Sequence, residues 1–187
     1  MTKEPGDAQD WLAGGSRRDL SRQRIINVAT ELLREHGFDN LDPDTVAARA
    51  GCSRATLYRY VGGKDAIREA VILQLAISVV QQIQDAVSRF QGADRVVEVV
   101  LASVAACRAE PIVKDALKWA ANYPVGRTLN SPEVLRLCLA VSGLDPTDTL
   151  SAQAIVRATW SLIQNPMQGP DVEREFVERF VKPAFVR

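Results

Sequence analysis

The chain has 187 residues, a formal net charge of zero at neutral pH and a hydrophobic content of 47%. This length suits one domain or a small module joined to a larger one, and the apolar content excludes general disorder. Three widely spaced cysteines and a single histidine provide neither the ligand spacing of a zinc site nor a disulfide framework, so we expect no metal and no cofactor.

Residues 1–16 are polar and contain glycine, and we predict a flexible arm there. They include acids and lack the apolar stretch of a signal peptide, and the most apolar run of the chain, 70–84, is short for a membrane span. We therefore expect a cytoplasmic protein. A first helix is predicted from Asp19 to His36, because apolar residues recur at intervals of three and four and Gly37 suits the position after a helix end.

Two short helices joined by a tight corner are predicted next. Asp42 can cap the first of them, and Pro43 suits its first turn, where a missing N–H costs nothing. Gly51 provides the permissive backbone of the corner. Ser53 can cap the second helix, which is predicted over 54–61.

The outer side of this helix pair is cationic. The stretch 45–64 contains no acid and four basic residues, namely Arg49, Arg54, Arg59 and Lys64. Such a pair suits the major groove of DNA. Arg54 and Arg59 can each donate two hydrogen bonds to guanine, and the methyl group of Ala55 can touch a thymine methyl. The alternative is that these arginines are solvated surface groups in ordinary ion pairs.

Hydroxyl and ammonium groups near the same helix suit phosphate oxygens, which set the register of a protein on DNA without reading its sequence. The residues that carry them are Ser53, Thr56, Tyr58 and Lys64. Tyr58 has the alternative role of a packing residue with an exposed hydroxyl.

The run VAARAGCSRATLYRYVGGKDAI, residues 46–67, resembles the signature of the TetR (tetracycline-repressor-like) family of bacterial transcription regulators. The similarity extends over about residues 20–73, and the rest of the chain shows no family motif. The resemblance implies a two-part, all-helical dimer whose C-terminal part binds a small effector and then releases DNA. It also implies DNA contacts at the positions of Thr56, Tyr58, Tyr60 and Lys64.

Two positions depart from the family pattern. Val61 stands where phenylalanine is usual, which removes some core volume. Asp44 stands near the start of the second helix, where many members have a basic or polar residue. Its carboxylate can favour the positive end of the helix, but it would repel phosphate if it faced outward.

The remainder of the chain predicts six more helices. A long fourth helix is expected over about 64–90, and a fifth over about 93–108, where abundant valine makes a strand the rival interpretation. A capping residue followed by proline predicts the next three helix starts, at Glu110-Pro111, Ser131-Pro132 and Asp145-Pro146. Gly169-Pro170 introduces a ninth helix that ends near Pro183.

The resemblance requires a dimer face and a pocket in the C-terminal part. Two helical stripes are the predicted dimer face: Ala152, Ile155, Thr159, Leu162 and Ile163 on one, and Phe176, Phe180 and Val181 on the other. Residues that combine apolar area with polar tips are the predicted pocket: Phe90, Val104, Cys107, Trp119, Tyr123 and Trp160. An intramolecular core is the alternative for both sets.

The sequence thus predicts an all-α protein of about nine helices, with an arm (1–16), a helix-turn-helix DNA-binding domain (17–66) and a helical ligand-binding and dimerisation domain (67–187). The expected function is a ligand-responsive regulator, most often a repressor, that binds a palindromic operator as a homodimer and is released by a largely apolar small effector. No membrane partner and no enzymatic activity are expected. The alternatives are a small helical enzyme or ligand carrier, and a DNA-packaging protein indifferent to sequence.

Overall fold

The computed structural model describes residues 17–122 and 130–186. Over these two ranges the protein contains nine α-helices and no strand, which confirms the all-α fold. The chain divides into two compact units between Val71 and Ile72. The predicted arm and Tyr123 lie outside the described residues.

The first unit is built from three helices and the start of a fourth. These elements are α1 (Arg17–His36), a 3-10 turn (Phe38–Asn40), α2 (Pro43–Arg49), α3 (Arg54–Tyr60) and the beginning of α4 (Lys64–Ser88). Their inward faces bury Leu33, Phe38, Val46, Leu57 and Ile67. Because each helix contributes one apolar face to this core, the opposite faces of the short helices remain available to solvent.

Polar caps fix the boundaries of the short helices as predicted. The carboxylate of Asp42 accepts hydrogen bonds from the backbone N–H groups of Asp44 and Thr45, at 3.3 and 3.0 Å. The hydroxyl of Ser53 accepts one from the N–H of Thr56 at 3.1 Å. Each cap satisfies N–H groups that have no partner within their own helix.

The second unit contains the rest of α4 and five further helices. These are α5 (Gly92–Ala109), α6 (Pro111–Asn122), α7 (Pro132–Ser142), α8 (Thr149–Gln164) and α9 (Pro170–Phe176), followed by a π turn (Val177–Val181) and a 3-10 turn (Lys182–Phe185). α5 packs against α6, α7, α8 and the C-terminal turns. The valine-rich segment is therefore a helix and not a strand, and its buried residues are Val96, Val97, Val99, Val100 and Val104.

The predicted helix start at Asp145-Pro146 is wrong. The carboxylate of Asp145 instead accepts hydrogen bonds from the N–H and the hydroxyl of Thr147, at 2.8 and 2.7 Å, and closes a turn. Asp148 is the true cap of α8, since its carboxylate accepts from the backbone N–H of Ser151 at 3.0 Å. Asp145 and Asp148 are both suitable caps for this helix, but only Asp148 lies three residues before the free N–H of Ser151.

A bidentate ion pair ties α5 to α9 in the second unit. Arg108 donates from Nη1 and Nη2 to the two carboxylate oxygens of Glu173, at 2.9 and 2.8 Å, and Nη2 also donates to the carbonyl of Leu162 at 2.7 Å. The backbone N–H of Met167 donates to the same carboxylate at 3.1 Å. The side chain of Glu173 is 5% exposed, so this carboxylate depends on its partners for the hydrogen bonds that water would otherwise supply.

Among the described residues, α4 is long and apolar enough to cross a membrane by length and composition alone. The same properties are found in the core helices of soluble proteins. In each unit α4 contributes buried side chains, with Ile67 and Val71 in the first and Leu75, Val79 and Ile83 in the second. These residues account for much of its apolar character as protein core.

Candidate DNA-binding surface and ligand cavity

The corner between α2 and α3 fixes the position of α3 in the first unit. Gly51 has a φ of 66°, and the N–H of Cys52 donates to the carbonyl of Ala47 at 3.0 Å. Leu57 of α3 is fully buried, and α3 packs against α1 and α2. With one face held in this way, α3 presents the other face to solvent.

Substitution of Gly51 by alanine is expected to lower the free energy of unfolding by about 1–2 kcal/mol, because a left-handed backbone strains a residue with a Cβ. The added Cβ would also lie 3.1 Å from Nη2 of Arg24, a flexible group that can move aside. Gly51→Asn adds the same Cβ but tolerates the left-handed region better, so it should lose less. Urea denaturation of both variants is the measurement, and equal losses would show that crowding and not backbone strain is decisive.

The exposed face of α3 carries the residues that were predicted to contact DNA. Arg54, with a side chain 62% exposed, points outward, and so do Ala55 and Arg59. Tyr58 is exposed, and Tyr60 is half-buried. Two cations and two aromatic rings therefore lie on one short helix. The methyl group of Ala55 follows Arg54 directly in the sequence.

The ring of Tyr60 lies close to one arginine of α3 and to one at the start of α1. The guanidinium carbon of Arg59 lies 4.9 Å from the centroid of its ring, and that of Arg18 lies 5.9 Å away. Both distances suit a cation–π contact. The cationic surface of α3 therefore continues onto the first turn of α1, a feature that helix periodicity does not reveal.

Two of the four cations in the basic stretch are paired with acids. Arg49 makes two hydrogen bonds with the carboxylate of Glu35, at 2.7 and 3.0 Å, and this contact holds the pKa of Glu35 below its usual range. Arg54 pairs with Asp44 at 2.9 Å. The stretch is acid-free in sequence, yet the fold places carboxylates from α1 and α2 beside it.

The groups that were predicted to meet phosphate have structural partners in this unit. The hydroxyls of Ser53 and Thr56 lie 2.9 Å apart, and Ser53 caps α3. The ammonium of Lys64 donates to the carbonyl of Asp39 at 3.2 Å, while its side chain stays exposed. An ammonium has three donors, so this bond leaves Lys64 able to meet a phosphate as well.

An apolar cavity of about 170 Å³ lies within the second unit. Helices α4, α5, α6, α7 and α8 all contribute to its wall, with α4 supplying Leu75, Ala76, Val79 and Val80. The polar groups at the wall are few, namely the hydroxyls of Ser103 and Thr159, the Trp160 side chain and the thiols of Cys107 and Cys138. No charged side chain among the described residues lines it, so the cavity suits a neutral apolar molecule.

The predicted pocket residues meet this cavity only in part. Cys107 and Trp160 line it, whereas Phe90, Val104 and Trp119 are absent from the described lining. Val104 is buried in the packed core of the unit, and α6 reaches the cavity through Val113 and Ala116, nearer its start than Trp119. Residue type alone does not show which face of each helix turns toward this cavity, and the ligand contacts of these three residues stay a prediction.

Both thiols at the cavity are neutral. Burial raises the pKa of Cys107 to about 11 and that of Cys138 to about 11. The Sγ atom of Cys138 lies 3.8 Å from the carbonyl oxygen of Ala152, which is a weak hydrogen bond from a protonated thiol. At neutral pH the two cysteines therefore act as small apolar wall residues.

The predicted dimer stripe on α8 is largely buried within one chain. Ala152, Ile155 and Leu162 are at most 3% exposed within one chain, so they leave almost no surface for a second copy. Thr159 and Ile163, like Ile155, line the cavity. The stripe does mark a buried face, but its neighbours are helices of the same chain.

The second predicted stripe is partly exposed. Phe176 packs against the core of the unit, and its ring centroid lies 5.4 Å from that of Phe180. Phe180 is 64% exposed, and Val181 is half-buried. Leu150 of α8 and Val172 of α9 are further apolar residues open to solvent.

A helix-turn-helix with an exposed cationic recognition helix, followed by a helical unit with its own apolar cavity, is the architecture of a DNA-binding regulator. Residues 25–71 match the family model described as bacterial regulatory proteins, tetR family. An uncharacterised helix-turn-helix-type transcriptional regulator of Mycobacterium tuberculosis is 28% identical over 185 residues, which covers 93% of this chain and 89% of the relative.

Solved structures share the fold over most of the chain. The TetR family repressor AlkX from Dietzia sp. is similar with a TM-score of 0.63 at 22% identity, over 87% of this chain and 94% of that one. The repressor QsdR of R. erythropolis is similar with a TM-score of 0.62 at 20% identity, over 90% and 97%. The DNA-binding unit of the protein is therefore similar to that of the TetR family of bacterial transcription regulators, and its fold is the one these solved structures have.

Proposed function

We propose that the protein is a ligand-responsive repressor that binds a palindromic operator as a homodimer and leaves it when a small molecule occupies the cavity. The observation that carries the DNA-binding part is the exposed face of α3, where Arg54 and Arg59 point to solvent from a helix fixed on its other side. Arg54, Ala55, Arg59 and Tyr60 would contact bases. Ser53, Thr56, Tyr58 and Lys64 would contact the phosphate backbone.

Dimerisation is proposed because one short helix reads few base pairs, whereas two copies read half-sites about 34–36 Å apart. Exposed apolar residues on α8 and in the π turn after α9 support a contact there, with Leu150 at 77% and Phe180 at 64% exposure. These residues, with Val172, replace the buried stripe of α8 as the proposed interface.

The proposed effector is small, uncharged and apolar. Its size follows from the cavity of about 170 Å³, since an apolar cavity of about 150 Å³ is large enough for benzene. Burial of a charged effector would leave its charge without a partner, because the described wall has none to offer. A single-ring aromatic hydrocarbon such as toluene is therefore a suitable probe.

Release requires only that the effector bind two shapes of the protein with different affinity, typically by about 1–3 kcal/mol. α4 is the natural carrier of this coupling. It begins directly after the helix-turn-helix, and its later turns supply Leu75, Ala76 and Val79 to the cavity wall. Movement of these residues around an effector would be transmitted along one continuous helix.

DNA binding is tested by gel shift with fragments from upstream of the protein's own gene, across a series of salt concentrations. We expect a shifted complex whose affinity falls steeply with salt, because phosphate contacts release counterions. Absence of binding to every such fragment, or binding that salt does not weaken, would contradict the proposal.

Effector binding is tested by filling the cavity. Ala76→Leu adds three carbon atoms to the wall on a good helix former, so toluene should raise the melting temperature of the wild type and not that of this variant. Ala105→Leu, the same change at an exposed position of α5, is the matched control and should keep the toluene response. Equal shifts in all three proteins would place toluene outside the cavity.

A further inference from the structure

Asp44 is an acid on a surface that is otherwise suited to DNA. Asp42, two residues earlier, uses its carboxylate to cap α2. The carboxylate of Asp44 instead reaches across the corner to α3, where its Oδ2 lies 2.9 Å from Nη1 of Arg54. The two side chains are 56% and 62% exposed, so this ion pair forms on the outer surface of the helix pair.

Arg54 is held on two sides. The carboxylate of Asp44 binds one end of its guanidinium, and the ring of Tyr58 lies 5.5 Å from its central carbon. A guanidinium has five N–H donors in a rigid fork, and Asp44 occupies one of them in this geometry. The Tyr58 side chain also hydrogen-bonds to this guanidinium. The donors that neither partner takes can meet a base edge, and a side chain that is already oriented loses less freedom when it binds.

The charge of Asp44 acts differently on two kinds of DNA. Affinity for unrelated sequences comes from phosphate contacts, and Asp44 both offsets the charge of Arg54 and repels phosphate. On an operator, Arg54 can donate to a base through its remaining N–H groups without leaving Asp44. The carboxylate therefore weakens non-specific binding more than it weakens binding to the operator.

We propose that Asp44 is a specificity-determining residue, which orients Arg54 for base contact and lowers affinity for DNA of unrelated sequence. This inference rests on the function proposed above, in which α3 reads bases. An exposed ion pair changes an equilibrium by less than about fivefold, and a dimer carries two of them. The expected change in the ratio of operator to non-specific affinity is thus about 2- to 20-fold.

The experiment compares the wild type with Asp44→Asn, which keeps the shape of the side chain and removes its charge. The DNA is a duplex that the wild type selects from a random-sequence pool, together with a scrambled duplex of the same length. We expect the variant to bind the scrambled duplex about 2- to 20-fold more tightly and with a steeper salt dependence. Its affinity for the selected duplex should rise by a smaller factor or fall, so that the ratio of the two affinities drops.

Glu35→Gln is the matched control, because it also removes one acid from an exposed ion pair of the same unit, that with Arg49. It should change the affinity for both duplexes by one common factor and leave their ratio intact. A second control compares the single variant Arg54→Gln with the double variant that carries both Arg54→Gln and Asp44→Asn. In the Arg54→Gln background only the direct repulsion of phosphate by Asp44 remains, so Asp44→Asn should alter the ratio less there than it does in the wild type; an equal change in both backgrounds would show that Asp44 does not act through Arg54.

The outcomes separate this inference from the proposed function. The inference is overturned if the wild type binds the selected duplex but Asp44→Asn leaves the affinity ratio unchanged. The same holds if Asp44→Asn alters the ratio only as much as Glu35→Gln does. In both cases the proposed function still stands. A wild type that selects no duplex overturns both. Circular dichroism melting of each variant verifies that the compared proteins are folded.

Discussion

Arg108→Ala is expected to lower the free energy of unfolding by roughly 2–4 kcal/mol. Removal of one partner of a buried ion pair typically costs about 3–5 kcal/mol, because the remaining charge is buried without compensation. The cost should be somewhat smaller here, since the side chain of Arg108 is 35% exposed while that of Glu173 is 5% exposed. Urea denaturation measures the loss.

Arg174→Ala is the matched control for this prediction. Arg174 also joins α9 to α5, through two hydrogen bonds to Glu98 at 2.6 and 3.2 Å, but its side chain is 45% exposed. Exposed pairs contribute less than about 1 kcal/mol. If the two variants lose the same stability, burial of Glu173 is not what gives the Arg108 pair its effect.

The same pair predicts a dependence on pH. The hydrogen bonds from Arg108 hold the pKa of Glu173 below its usual range. A carboxyl with a lowered pKa in the folded state stabilises the protein above its unfolded pKa, and this contribution is lost as the pH falls through the folded value. Stability of the wild type should therefore decline below about pH 4.3, the usual glutamate value, more steeply than that of Arg108→Ala. Parallel declines in the two proteins would contradict this assignment.

Arg59→Ala is expected to weaken binding to the selected operator by at least about 30-fold. A bidentate contact between arginine and guanine is worth about 1–3 kcal/mol, and a dimer loses two of them, so the lower bound is about 2 kcal/mol. Discrimination between the selected and the scrambled duplex should fall with the affinity, because the contact reads a base. Fluorescence anisotropy with both duplexes at one salt concentration is the measurement.

Arg49→Ala is the control for the DNA-binding prediction. It removes an arginine from the same cationic stretch, but this guanidinium is engaged by the two carboxylate oxygens of Glu35. We expect a loss of less than about threefold, similar for both duplexes, as for a single screened charge. A loss as large as that of Arg59→Ala would mean that net charge, and not base contact, governs affinity.

Local rules were sufficient for the first unit. The caps of the two short helices, Asp42 and Ser53, bind backbone N–H groups two or three residues further on, and Gly51 forms its corner locally. Sequence spacing therefore determines their geometry. Long helices with regular apolar spacing are predictable for the same reason. Where two equivalent signals competed, as at Asp145 and Asp148, the local pattern did not decide which one begins the helix.

Contacts between distant residues were not predictable. A stripe such as Ala152, Ile155 and Leu162 indicates that one face of a helix is buried, but it does not specify whether the neighbour is the same chain or a second copy. The cavity is a gap between five helices, and no short pattern encodes a gap. The Asp44–Arg54 pair depends on the angle of the corner, which spacing along the chain does not give.

The thiols of Cys107 and Cys138 have a consequence for the chemical environment in which the protein works. With a pKa of about 11, each holds about one part in ten thousand as thiolate at pH 7. Peroxide and other oxidants attack the thiolate form. Oxidative stress is therefore expected to leave the wall of this cavity chemically unchanged.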